Sequence, residues 1–459
     1  MRAELKRHGH PLSASALSGA ESGQFRSSRI AAAYEDVLGL EAGRLTSAID
    51  ILCRTFPESP IDRHPLSLEV SAAELSRLTS LVMEKRPTGS DWLAWGRAFS
   101  RPESQGLPLW LFEPLVDRLI SELGRSVGVA FTTRYEALTR LRCGPYASAV
   151  LDAAKAAVAV DGIQVLFDLM SAMSENADRE VLAWCCELLG DPRSYVVRGS
   201  MLAFNNMAVT GGLPASAWRS ADDAIVSAYD GSLGDRERHS IMSELLVSLP
   251  PATRRRLRAR LVVPLRKPER LARYGAKDDD NPEWSQSQRI ARDITSSYAL
   301  SDPDLLTRLV FELIYDHRDA RSVTTMFLIL ATPIAGSLVE ALFERATELP
   351  DADRSLTLDR LMTMQSGHGF PTSSHWPRPD DLDDLYTDAT LRAQASRKVP
   401  DATLDLLRDG GRHYARRSLY VAGLLRSPWL RRQAADQRLD ARFRSGADWW
   451  ISQGGVVRH

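Results

Sequence analysis

Four serine hydroxyls and two glycines stand close together near the N-terminus, in Leu12-Ser13-Ala14-Ser15-Ala16-Leu17-Ser18-Gly19-Ala20-Glu21-Ser22-Gly23. Ser13 can cap a helix by accepting a backbone N–H of its first turn. Ala16, Leu17 and Ala20 then share the inner face, and Ser15, Ser18 and Gly19 turn outward. Outward side chains near the start of such a helix are fit to touch base edges in a DNA major groove. The strong readers are Arg or Lys on guanine and Asn or Gln on adenine, each worth roughly 1–3 kcal/mol of discrimination. None lies on this helix, so direct readout through Ala14, Ser15, Ser18 and Gly19 is expected to be weak. Gly19 costs the helix about 1 kcal/mol relative to Ala unless close approach to DNA requires it. Lys6, Arg7, Arg26 and Arg29 flank the stretch and suit phosphate contacts, which position without specifying.

The other constellations offer less. His368 and His375 share a long proline-broken stretch with Asp380, Asp381, Asp383 and Asp384, but their spacing matches no zinc pattern, and no metal ligand is assigned. His317, between Asp316 and Arg318-Asp319, suits a charged helix end. There is no Gly-x-Ser-x-Gly and no glycine-rich phosphate loop. No catalytic residue is therefore assigned, no cofactor is expected, and the chain reads as a non-enzyme. The densest basic run, Arg254 to Leu261, puts charge around most of a helix with Leu257 and Leu261 inward. A solvated face is the plain reading of it; a phosphate-facing ridge of a DNA-processing enzyme is the alternative.

The elements that would position the serines are short. A helical candidate from Ala3 to His8, stopped by Gly9, precedes the serine helix, and two short helices joined by a glycine-containing turn form a helix-turn-helix pattern. The stretch resembles the second half of the Cro/repressor-type helix-turn-helix of the xenobiotic-response-element family. There a Val/Leu-Ser-x-Ser-x-Leu-Ser-x-x-Glu-x-Gly run makes the recognition helix and its stop. Leu12, Ser13, Ser15, Leu17, Ser18, Glu21 and Gly23 occupy those places, and Ile30 to Leu40 matches the family's next helix. The resemblance covers about the first fifty residues. The family's first helix has no counterpart here, because Met1 stands two residues before the candidate second one. An upstream start, cover from the rest of the chain, and loss of DNA binding all stay open. The resemblance implies a DNA-binding transcription regulator, acting as a homodimer on double-stranded half-sites about one DNA turn apart.

The chain has 459 residues, 44 % of them hydrophobic, and a formal charge of −1, so any DNA contact must be local. Six lysines against fifty-two arginines reflect GC-rich coding bias. Cys53, Cys143, Cys185 and Cys186 lack Cys-x-x-Cys spacing and read as reduced, buried thiols. No apolar run is long enough for a membrane and no signal-peptide core is seen, so no membrane partner and a cytoplasmic location are expected.

The expected fold is all-α. Residues 1–56 form a partial helix-turn-helix unit, closed by a helix from Leu45 to Phe56. Pro57-Glu58-Ser59-Pro60 and Pro65 mark a linker. Residues 57–130 form a helical connecting region, with a capping box at Ser71 and Glu74. Residues 131–459 read as an irregular α-solenoid of antiparallel helix pairs. Leu189-Gly190-Asp191-Pro192, followed by Val196-Val197-Arg198, resembles the turn and second helix of a HEAT-type repeat, with looser echoes after Leu300 and Leu407. Lys277 to Pro282 reads as a charged turn, Gly367 to Asp384 as a long loop, and Trp429, Trp449 and Trp450 as anchors of a closing helix pair. The array would serve dimerisation, a protein partner or a small-molecule effector. An interaction scaffold with a vestigial helix-turn-helix is the other reading kept open.

Overall fold

The computed structural model describes residues 2–24, 26–55, 71–84, 86–102, 106–265, 282–298, 303–316, 319–346, 349, 351–364 and 382–459. The linker at 57–65, the turn at 277–281, His317, and the loop at 367–381 with His368 and His375 lie outside them. Helices make up 73 % of the described residues. Among the described residues there is no strand, only an isolated bridge between Ser126 and Val457. The chain is all-helical and forms two compact units. One comprises Met1–Gly124, Thr133–Ala159 and Val165–Ala272; the other comprises Arg125–Thr132, Val160–Gln164 and Arg273–His459.

The first unit opens with α1 (Arg2–Arg7), α2 (Ala14–Glu21), α3 (Ser28–Val37) and α4 (Thr46–Thr55). It continues through α5 (Ala72–Met83), α6 (Gly89–Phe99), α7 (Leu109–Leu123) and α8 (Val129–Arg142), which enters this unit at Thr133. Then come α9 (Ala147–Ala159), α10 (Phe167–Ser174), α11 (Arg179–Leu188) and α12 (Ser194–Thr210). The last four are α13 (Ala215–Ser220), α14 (Asp222–Gly231), α15 (Arg236–Ser248) and α16 (Pro251–Arg258).

Local signals place many of these ends. Ser71 caps α5 by accepting Glu74 N–H at 3.2 Å. The expected box there is only half made, because the Glu74 carboxylate turns to Arg77 at 2.6 and 2.8 Å. The reciprocal box occurs instead at the start of α6. Thr88 Oγ1 accepts Asp91 N–H at 3.2 Å, and Asp91 accepts Thr88 N–H at 2.8 Å. The Asp191-Pro192 turn is clamped by Arg193, whose backbone N–H and guanidinium both donate to Asp191 at 2.7–2.9 Å. Val196 and Val197 after it are fully buried, as apolar positions facing a core must be. The aromatic centre runs through α6, α7 and the start of α9. Trp95 stacks on Phe112 with centroids 5.4 Å apart, and Phe112 stacks on Tyr146 at 4.2 Å.

The second unit holds α17 (Pro282–Tyr298), α18 (Pro303–Tyr315), α19 (Asp319–Ala331), α20 (Ala335–Ala346) and α21 (Asp351–Met364). It ends with α22 (Leu382–Gln394), α23 (Asp401–Asp409), α24 (Arg412–Leu424), α25 (Trp429–Ala435) and α26 (Ala441–Ser452). Neighbours in sequence pack together: α17 with α18, α20 with α21, α23 with α24, α25 with α26. Trp429 and Trp450 are buried in the closing pair, while Trp449 is half-buried. Trp450 presses against Gly423 so closely that a β-carbon there would lie 2.0 Å from the indole.

Candidate nucleic-acid interface

The first three helices end in the same way. Gly9, Gly23 and Gly39 adopt φ of +83°, +73° and +60°, a region that costs L side chains energy but not glycine. At each, the residue after the glycine donates its N–H five residues back: His10 to Leu5 at 2.8 Å, Gln24 to Gly19 at 2.9 Å, Leu40 to Glu35 at 2.8 Å. The glycine N–H reaches three residues back at 3.2 Å in every case, which completes a Schellman stop. Serines start the next helices: Ser13 Oγ accepts Ala16 N–H at 3.1 Å, and Ser27 Oγ accepts Ile30 N–H at 3.4 Å. Leu5, Leu17, Ile30 and Ala33 bury together between α1, α2 and α3, with Leu12, Ala16, Ala20, Tyr34 and Val37 around them.

On α2 this leaves Ala14, Ser15 and Ser18 exposed. Ser15 shares its hydroxyl with Ser13 at 3.0 Å, so the cap also orients the first outward serine. Gly19 departs from expectation, because it is buried. It lies three residues after Ala16, on the same stripe, and without a side chain its backbone is covered by the core side of the unit. Lys6, Arg7 and Arg29 are exposed, Arg7 beside Glu4. Arg26 also differs from the flanking role read for it. It is half-buried and donates through Nη1 to the Leu52 carbonyl at 3.3 Å, tying the turn before α3 to α4.

Further contacts set the angle of α3. His10 Nε2 and Asp36 Oδ2 are 2.9 Å apart, with His8 Nδ1 at 3.5 Å from the same oxygen. The hydrogen bond with His10 holds the Asp36 carboxyl below the usual carboxylate range. Tyr34 donates its phenol to Glu21 of α2 and is pushed to about 12, by burial first and by Glu21 second. The buried Glu35 accepts Gly43, Leu45 and Thr46 N–H at 3.0, 2.6 and 2.7 Å. A carboxylate of α3 thereby satisfies orphan donors at the start of α4.

α4 is in turn held by buried charge. Asp50 meets Arg140 at 2.9 Å, Arg97 at 3.0 Å and the Ser28 hydroxyl. Burial pushes the Asp50 carboxyl up, but Arg140 and Arg97 outweigh it and leave it below its ordinary range. Arg54 donates to Glu136 at 2.8 Å and to Glu175 at 2.7 Å. Burial works against its charge, yet the two carboxylates raise its pKa well above the usual guanidinium value. Glu136 and Arg140 also pair with each other at 2.6 Å along α8. Two residues before Glu136, Arg134 Nε donates to Glu122 at 3.0 Å, and Trp92 Nε1 donates to the same carboxylate at 2.9 Å. Burial draws Arg134 below its ordinary value, with Glu122 opposing. α8 is thus a helix whose charged residues point into protein. Sequence reading missed this set, although Asp50/Arg54 and Glu136/Arg140 both stand four residues apart.

The basic run of α16 and the residues just after it is neutralised only in part. Arg256 bonds Asp222 at 2.5 and 2.8 Å, Arg260 bonds Asp223 at 2.6 Å, and Arg254 donates to the Val247 carbonyl at 2.7 Å. Arg255 and Arg258 remain exposed. Of the cysteines, only Cys185 is buried; Cys53 and Cys186 are half-buried and Cys143 is exposed, against the expectation of buried thiols. Burial pushes the Cys185 and Cys186 thiols up. No group of three potential ligands among the described residues could hold a metal ion. No described helix is long and apolar enough to cross a membrane. The chain matches no protein-family model, no curated protein and no solved structure in the comparisons made.

Proposed function

We propose that α1–α3 form a helix-turn-helix-type reader of double-stranded DNA and that the chain is a non-enzymatic transcription regulator. The observation that carries the reading is the outward face of α2. Ala14, Ser15 and Ser18 stand exposed on a capped helix, above a core of their own, with Lys6, Arg7 and Arg29 exposed around them. Small residues permit close approach to base edges, and the flanking cations supply sequence-independent attraction. The all-helical remainder serves as the body, read as a HEAT-like array on the strength of the clamped Asp191-Pro192 turn and the buried Val196 and Val197.

Fluorescence anisotropy of labelled duplex from the gene's own upstream region, at two salt concentrations, tests this. The expected result is binding that outlasts competitor DNA and weakens with salt. Lys6→Ala with Arg29→Ala weakens it on every sequence and lowers the salt slope by about 2. Binding that never exceeds that to unrelated duplex, or a slope unmoved by the double variant, overturns the reading.

A further inference from the structure

A recess of about 500 Å³ opens between the start of α7 and the start of α9. Its walls include Leu107, Leu109, Pro145 and Ala149, and the carboxylates of Glu113 and Asp152 stand on either side. The floor is rigid. Tyr146 Oη accepts Gly106 and Leu107 N–H at 3.2 and 2.9 Å and donates to the Leu107 carbonyl at 3.0 Å. Trp110, one turn before Glu113, leaves 73 % of its surface in solvent, and Leu109 is 52 % exposed. A large exposed indole beside apolar neighbours is the kind of surface that marks an interface.

The charge of this face is unbalanced. Glu113 and Asp117 follow each other on the exposed side of α7, and no base pairs with either among the described residues. Burial and then Glu113 push the Asp117 carboxyl up, as uncompensated like charge must. Lys155 is the nearest cation to Asp152, at 4.0 Å, and is drawn instead to Glu180 at 2.8 Å. A duplex would be repelled here, whereas a basic protein segment with apolar neighbours would be held.

The same unit carries such a segment. Arg255 and Arg258 of α16 are exposed, and among the described residues neither meets a carboxylate. Val262 just beyond them is 73 % exposed and Val263 40 %. The remaining arginines of the 254–260 run are occupied by Asp222, Asp223 and the Val247 carbonyl, so these two are the ones left to act outward.

We infer that the acidic recess at Glu113 and Asp152, with the exposed Trp110 on the same helix beside it, receives the Arg255–Val263 edge of a second copy of this chain. In a two-fold dimer each copy offers both surfaces, so the contact forms twice and closes. Opposite charges across it set orientation, and Trp110 with Val262 supplies the apolar centre. The inference does not rest on DNA binding.

Charge reversal on the full chain tests it. Sedimentation velocity over a concentration series gives a dimer for the wild-type protein, weakened by salt. Glu113→Arg with Asp152→Arg in one protein, and Arg255→Glu with Arg258→Glu in another, each weaken self-association at least about tenfold. All four positions are exposed, and unchanged circular dichroism confirms intact folding. Mixing the two variants restores the dimer, because both contacts then juxtapose opposite charges. A wild-type monomer at every concentration, a dimer indifferent to either reversal, or a mixture that stays monomeric overturns the proposal.

Discussion

Replacing Asp50 by Asn tests whether buried charge fixes the candidate DNA-reading unit. Asp50 joins four elements: it sits on α4 and meets Ser28 of α3, Arg97 of α6 and Arg140 of α8. Removing one partner of a fully buried ion pair costs roughly 3–5 kcal/mol. Arg97 and Arg140 keep 24 % and 22 % of their side chains in solvent, and Arg140 retains Glu136. That lowers the expected cost to about 2–3 kcal/mol. Because the two compact units need not unfold together, a single global stability is the wrong quantity to measure. Hydrogen exchange read on peptides covering residues 28–55 reports the local opening instead. Protection there falls roughly 30- to 150-fold while the second unit is unchanged. The pH dependence carries a sign. The folded carboxyl titrates below its unfolded value, so its contribution is present above the unfolded value near 4 and is lost as pH falls through the folded one. The protection gap between variant and wild type over residues 28–55 therefore closes as pH is lowered below about 4. A change in protection under about threefold, or a gap that persists unchanged in acid, refutes the account.

Two further substitutions probe packing and burial. At Gly96 of α6 a β-carbon would lie 2.8 Å from the Ala137 carbonyl oxygen and 2.9 Å from its α-carbon, so Gly96→Ala must push α6 from the α8 backbone. It costs about 1–3 kcal/mol, read as lost hydrogen-exchange protection on peptides covering α6 and α8, and a neutral result would remove the close approach. Asp168, half-buried in the first turn of α10, is raised from its ordinary value to about 6 by burial. Its charged form is penalised on folding, fully above pH 6 and not below about 4, so Asp168→Asn stabilises by about 1 kcal/mol at neutral pH. The gain vanishes near pH 4; a variant that is equally stabilised at both ends contradicts the assigned cause.

The N-terminal helices were legible because their ends are written locally. Ser13 caps α2, and Gly9, Gly23 and Gly39 stop three helices through φ values that favour glycine. The outward positions of Ser15 and Ser18 followed from helical spacing alone. Spacing failed at Gly19, since a residue without a side chain carries no sign of which way it faces. It failed also at Arg26, whose long side chain can serve a phosphate or a carbonyl, and the nearby Leu52 carbonyl decided which.

Sequence by itself determined the all-helical class and the ends of the N-terminal helices, because caps and periodicity act within one or two turns. It could not show α8 as a buried polar helix. The charges of Arg134, Glu136 and Arg140 gain their partners only when Glu122, Arg54 and Asp50 are brought to them from other helices. Charge inside a protein is tolerable only with a partner, and a partner dozens of residues away leaves no periodic trace. The acidic recess is of the same kind: Glu113 and Asp152 became neighbours only when α7 packed on α9.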